Sequence, residues 1–261
     1  YILTDDIILN TENSNVENNG TQGYQIEGDL VWNSSNDIIT GNGSEGMDLI
    51  GNLEWVSQND IVSSNGGKGL DIDGNVSWNS DVDEINNNGG TGIDITGTLT
   101  LEADSSEWMG NSGNGVDATG SNSSVILYQI RNNENSGDGF RLSGSNCHLE
   151  ADYSFVRDNG GDAIEMGSSG TCRLDNCLLG YNGEQGVNTE GAVDLNYCNI
   201  IHNGGYGINT SQFSTVDNSI VWFNGGVPQM VTSNVYAVSY TNVQGINALQ
   251  TSIDFAWGAG C

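Results

Sequence analysis

Four aspartates recur at a constant interval. Asp48, Asp71, Asp94 and Asp117 stand 23 residues apart, each between two apolar residues, and Asp73 follows Asp71 by two. If the chain repeats in space at that interval, these carboxylates form a column, and like charges one strand apart repel. A divalent cation relieves such a column. Calcium, which takes oxygen ligands in a flexible geometry, is the expected ion. The alternative is a solvated acidic face.

Basic groups are few: Lys68, Arg131, Arg141, Arg157 and Arg173, with His148 and His202. Arg141 stands 24 residues after Asp117, where the next aspartate of the column would fall. Asp138 and Glu165 are expected near it, with Arg157 and Asp162 across a turn. Mixed acids and bases on one face can do general acid–base work, and surface ion pairs account for them equally well. The chain has no Gly-x-Ser-x-Gly elbow and no His pair at zinc-ligand spacing.

Five cysteines fall in the C-terminal half, none as C-x-x-C. Cys177 and Cys198 each lie five residues before an Asn-Gly turn, so they stack in adjacent repeats at a spacing a disulfide tolerates. Cys147 and Cys172 also lie one repeat apart, but their offsets differ by two, which makes them the looser pair. Cys261 is left over. Small buried thiols are the competing account of the stacked pair.

The elements that position these groups follow from an internal repeat. Segments Asn42–Gly51, Asn65–Gly74, Asn88–Gly97 and Asn111–Gly120 share the pattern N-x-x-x-G-h-D-h-x-G, where h is apolar. The marker asparagine recurs at Asn19, Asn42, Asn65, Asn88, Asn111, Asn135, Asn159, Asn182, Asn203 and Asn224, at spacings of 21 to 24. After the marker comes a short alternating strand, such as Leu70-Asp71-Ile72-Asp73. A second strand precedes it by ten to twelve residues (Leu30 and Trp32, Leu53 and Trp55, Val76 and Trp78). A third lies just before it (Ile38 and Ile39, Ile61 and Val62). Three strands and three turns per 23 residues make one coil of a β-helix. The markers then stack as an amide ladder. Trp32, Trp55 and Trp78 share parity with inward Leu30, Leu53 and Val76, so the tryptophans are read as a core stack rather than a sugar platform.

The bulk composition agrees. Gly is 38 of 261 and Pro is 1, as turns and uninterrupted ladders require. Five Lys plus Arg against 34 Asp plus Glu gives a net charge of −29, which excludes nucleic acid as a partner. No run of apolar residues is long enough to span a membrane.

The N-G-G-x-G-h-D-h-x-G units, with Ser219–Gly226 and Tyr240–Gly245 near the C-terminus, resemble the right-handed parallel β-helix repeat proteins of secreted bacterial type, in the pectate-lyase-like superfamily. The resemblance implies an all-β, right-handed solenoid of about 11 rungs in a single domain, 1–261, secreted or on the cell surface. That superfamily holds lyases, hydrolases and non-catalytic surface proteins, so the fold does not decide the activity. Its lyases pair a basic residue with calcium-binding acids, which would cast Arg141 and Arg157 with Asp138, Asp162 and Glu165. Its galacturonan hydrolases carry a Gly-His-Gly signature absent here.

Regular rungs without inserted loops weigh against catalysis. The expected function is a structural filament or adhesin subunit that pairs with itself end to end. The alternatives are a polysaccharide lyase or hydrolase and a calcium- or glycan-binding module.

Overall fold

The computed structural model describes residues 2–4, 6–226, 229–232, 236–244 and 255–257. Cys261, Val235 and Gly245 lie outside them. Each 23-residue repeat folds as one triangular rung of a right-handed parallel β-helix, and about ten rungs stack. Among the described residues the strands form three parallel sheets of 11, 12 and 11 strands, each strand pairing only with its counterparts one rung away. No helix among them is long and apolar enough to cross a membrane.

The first sheet carries the strands that follow the marker asparagine, such as Leu70–Asp73. The second carries the longest strands, such as Val76–Asp81, and the third those just before the next marker, such as Glu84–Asn86. Strand alternation points one set of side chains inward, because successive Cβ atoms leave opposite faces. Leu70, Ile72, Val76, Trp78 and Ile85 are buried accordingly. Trp32, Trp55 and Trp78 stack in the core at 4.7 and 4.4 Å with interplanar angles of 2° and 10°, and Leu101 continues the column above Trp78.

Two corners of each rung turn through a single residue in the left-handed region. Six residues before the marker these include Asn36 (φ 55°) and Asn59 (φ 57°); one residue before it they include Asn87 (φ 56°) and Gly110 (φ 65°). Asn and Gly tolerate that conformation best. The marker asparagines run inside the corner as predicted. Asn88 Oδ1 accepts from the backbone N (3.2 Å) and Nδ2 (3.0 Å) of Asn65, while Asn88 Nδ2 donates to Asn111 Oδ1 (3.0 Å) and Val62 O (3.1 Å). The same pattern climbs from Asn19 to Asn224, where Gln229 Oε1 accepts the last pair. The glycine of the motif makes room for this ladder: a Cβ on Gly69 would stand 2.5 Å from Gly92 O and 2.9 Å from Asn88 Nδ2.

Candidate functional site

Asp48, Asp71, Asp94 and Asp117 do form one outward column on the first sheet, in register from rung to rung. The column meets cations of its own chain. Lys68 Nζ sits between Asp71 Oδ1 (2.8 Å) and Asp94 Oδ2 (2.5 Å). Arg141 follows in the same column and pairs with Asp117 Oδ2 at 3.4 Å and Glu165 Oε2 at 3.1 Å. Asn114 Nδ2 also donates to Asp117 Oδ2 (2.9 Å), Gln22 Nε2 to Asp48 Oδ2 (3.4 Å) and Thr96 Oγ1 to Asp73 Oδ1 (2.7 Å). The expected calcium ligands thus stack one above another, each with partners within the chain, and no group of three or more acidic, His or Cys side chains among the described residues is arranged for a metal ion.

Around Arg141 the structure gathers Asp138, Asp162 and Glu165. Asp138 Oδ1 accepts the backbone N–H of Asp162 at 2.7 Å. Asp162 repeats the device one rung on, accepting from Gln185 N (2.6 Å) and Asn188 Nδ2 (2.9 Å). Burial, and then the neighbouring Glu165 carboxylate, push Asp138 up to about 6. Burial pushes Asp162 up to about 6 as well, with the charges of Asp138 and Glu184 adding to it. Burial also raises Asp117, against the pull of Arg141. Asp138 can thus hold a proton near pH 6 beside the Glu165 carboxylate and a guanidinium, which is the minimum for general acid chemistry. A groove of about 700 Å³ begins at Glu165 and runs past Ser143, Asn188, Glu190 and Asn209.

Arg157 does not join this cluster, which corrects the expected grouping. It projects from the third sheet on the strand Phe155–Arg157, where it pairs with Asp158 at 3.5 Å. Arg141 lies six residues after its marker and Arg157 two before its own, offsets that belong to different faces.

The cysteines need a second correction. Cys172 stands in register with Leu149, not with Cys147, and Cys147 Sγ instead meets Gly144 O at 3.3 Å. The two-residue difference in offset puts these thiols at different points of the rung. Cys177 and Cys198 do stack, but all four described cysteines are buried free thiols. The Cys198 side chain within hydrogen-bonding reach, and then burial, push Cys177 up, and burial pushes Cys172 up.

One buried column escaped the sequence reading. Five residues before successive markers stand Asp37, Asp60 and Asp83, exposed by only 2–3%. Each accepts a backbone N–H from the rung below, from Ser14 (2.7 Å), Asp37 (2.8 Å) and Asp60 (2.8 Å) respectively. Ser34 donates to Asp60, and Ser57 to Asp83. Trp55 and Trp78 donate in turn to those serines, at 2.7 and 2.6 Å. Asp37 Oδ2 has no such donor. Burial is the main force raising Asp60, to about 6. Cys177 and Cys198 occupy the same column further along, so the offset that singled out the cysteines also marks the aspartates. On the outer face of the second sheet, His148 bonds Thr171 Oγ1 at 2.9 Å and Arg173 pairs with Glu150 at 3.1 Å.

These features define a parallel β-helix whose polar groups largely serve one another. Residues 59–194, just over half of the chain, match the family described as right handed beta helix region, and the chain belongs to that family. The crystal structure of pectate lyase Pel9A is similar over 91% of this chain and 57% of that one, at 19% identity and a TM-score of 0.42. The chain thus spans little more than half of that protein's length. No curated protein matches.

Proposed function

We propose that the protein acts outside the cell as a non-catalytic structural rod, a stiff β-solenoid that spaces, adheres or assembles, with copies pairing end to end. One observation supports this reading above the others. From Asp48 to Glu165 the outward acids are taken up by Lys68, Arg141 and neighbouring amides, and no inserted loop walls the groove, whose lining comes from strands and their corners. Each rung offers the next the same three parallel strands, a pairing that can pass from copy to copy. Electron microscopy of the purified chain tests assembly, with long uniform fibres expected. Incubation with neutral and acidic polysaccharides tests catalysis, with no release of sugar ends expected.

The Asp138–Glu165 pair, of which Glu165 lines the groove, favours a second reading, a polysaccharide lyase or hydrolase in which Asp138 holds the proton and Arg141 the developing charge. Turnover that is present in the parent and lost in Glu165→Gln would establish it.

A further inference from the structure

The corner five residues before each marker holds a second ladder, in which an inward side chain accepts the backbone N–H of the equivalent residue on the rung below. Beyond Asp37, Asp60 and Asp83 the acceptors are hydroxyls. Ser106 takes the N–H of Asp83 (3.0 Å), Ser154 that of Ile130 (3.1 Å) and Ser219 that of Cys198 (3.0 Å). Between Ser154 and Ser219, two successive rungs put sulfur in that role. The N–H of Ser154 reaches Cys177 Sγ, and the N–H of Cys177 reaches Cys198 Sγ. Sulfur is the weaker acceptor, so the ladder alone gives no reason for the exchange. What sulfur can do there and a hydroxyl cannot is bond to a second sulfur.

The pair is placed for that bond. The residues that follow the two cysteines, Leu178 and Asn199, are partners in register on the third sheet, and Asn199 N donates to Cys177 O at 2.9 Å. Stacked positions on neighbouring strands lie about 4.8 Å apart, inside the roughly 4.4–6.8 Å Cα separation that a disulfide spans. Both side chains are buried and stand within hydrogen-bonding reach of each other. Taking the hydrogens off the sulfurs strands no nearby acceptor. Cys177 Sγ lies 3.1 Å from Asp175 O and Cys198 Sγ 3.3 Å from Asn196 O. Those carbonyls already accept the backbone N–H of Tyr153 (3.2 Å) and Asn176 (3.0 Å). Cys172, the next thiol, is in register with Leu149 and Val193 instead.

We propose that Cys177 and Cys198 are a cross-linking site, oxidised by a small-molecule disulfide to a bond that ties two successive rungs together inside the corner. This goes beyond the reading of the rod's role and does not depend on it. The thiolate of one cysteine attacks a sulfur of the oxidant, breaks its S–S bond and releases one thiolate, leaving a mixed disulfide on the chain. The other cysteine then gives up its proton, attacks the chain sulfur of that mixed disulfide and expels the second thiolate. The two protein thiols lose two electrons and two protons, and the oxidant carries both away as two thiols. Cys177 and Cys198 are exposed by only 2% and 1%, so the exchange takes place before these rungs close or when they open. The bond closes a loop of one rung, which restricts the unfolded chain more than the folded one.

Refolding the reduced chain from urea with oxidised glutathione, and in parallel with dithiothreitol, tests this. In the oxidising arm the intact mass should fall by about 2 Da, the two hydrogens lost. Free thiols counted in denaturant should drop by two from the five of the reduced chain, and peptide mapping should join Cys177 to Cys198. The melting temperature should rise by roughly 5 °C or more and return when dithiothreitol is added. Cys177→Ser puts into the column the residue that fills it at Ser154 and Ser219, so it should fold and lose both the mass change and the gain in melting temperature. Cys172→Ala should keep both. Circular dichroism confirms that each variant folds, and mapping of the parent decides the pairing even where a variant does not. A refolded parent that keeps all its thiols overturns the proposal, as does a disulfide that maps to another pair. A linked chain that melts no higher than the reduced one also overturns it.

Discussion

Trp55 Nε1 donates to Ser34 Oγ at 2.7 Å, and that hydroxyl donates onward to Asp60. The hydroxyl has one proton, so its direction is set by the groups on either side: the indole can only donate and the ionised carboxylate only accept. The stacked tryptophans are therefore tied to the buried aspartates of the corner as well as packed in the core.

Ser34→Ala leaves the Trp55 indole and one Asp60 oxygen without partners in a buried site. The expected cost is about 2–4 kcal/mol, one desolvation penalty for each orphaned group. Ser77→Ala, on the exposed face of the same sheet, should move stability by less than about 0.5 kcal/mol. Urea unfolding of the two variants checks the difference, and equal midpoints would refute the tie.

The aspartates predict an inverted response to acid. Asp60, Asp138 and Asp162 are each raised to about 6, above an unfolded value of about 3.9. Such a group binds its proton more tightly when folded. Its stabilisation is fully present below the unfolded value and is lost as pH rises through about 6. The melting temperature should therefore rise as pH falls from 7.5 toward 4.5, with Asp60 alone contributing of order 1–3 kcal/mol. In Asp60→Asn the slope should flatten. Calorimetry across that range decides, and a melting point that falls with acid would count against the assignment.

Asn88→Ala removes a rung of the amide ladder: it strands the backbone N–H of Asn65, takes one of two acceptors from Asn65 Nδ2 and leaves Asn111 Oδ1 only the backbone N–H of residue 88. A loss of roughly 1–3 kcal/mol is expected. An unchanged melting curve would show that the ladder contributes nothing net.

Lys68 stands between Asp71 and Asp94, where a cation would otherwise sit, and this predicts little effect of metal on the parent. Melting of the parent should be the same in calcium and in chelator. Lys68→Met should lower stability by less than about 1 kcal/mol, because the pair is partly exposed. The variant should then gain stability from added calcium, since Asp71 and Asp94 are left facing each other. Calcium stabilisation of the parent would refute this account.

The period made much of the molecule legible. Constant spacing placed Asn88 in a ladder, Asp71 in an outward column and Trp55 in the core, because a solenoid turns equal offsets into contacts. Nearness along the chain misleads where the offset from the marker differs. Arg157 lies close to Arg141 in sequence, although their distances from the marker assign them to different sheets. Cys147 and Cys172 lie one repeat apart with a two-residue mismatch, which in a strand is a full pleat. Asp37, Asp60 and Asp83 are hidden in the sequence because an aspartate reads as surface unless a donor is known to await it. Those donors, Ser34 and Ser57, lie on the neighbouring rung, over twenty residues away, although Asp83 has a further donor in Ser80, three residues before it. The charge on Lys68 was visible, but its reach to two carboxylates at once required coordinates.

Each strand pairs only with its counterparts one rung away, and this sets how the rod yields to force. Tension applied along the axis loads all three strand pairings of a rung together. Tension applied at the chain ends instead peels a single rung while its neighbour still holds. Each released rung of about 23 residues pays out roughly 80 Å of slack, so a molecule stretched from its termini would lengthen in near-equal steps, like a ratchet strap let out one notch at a time.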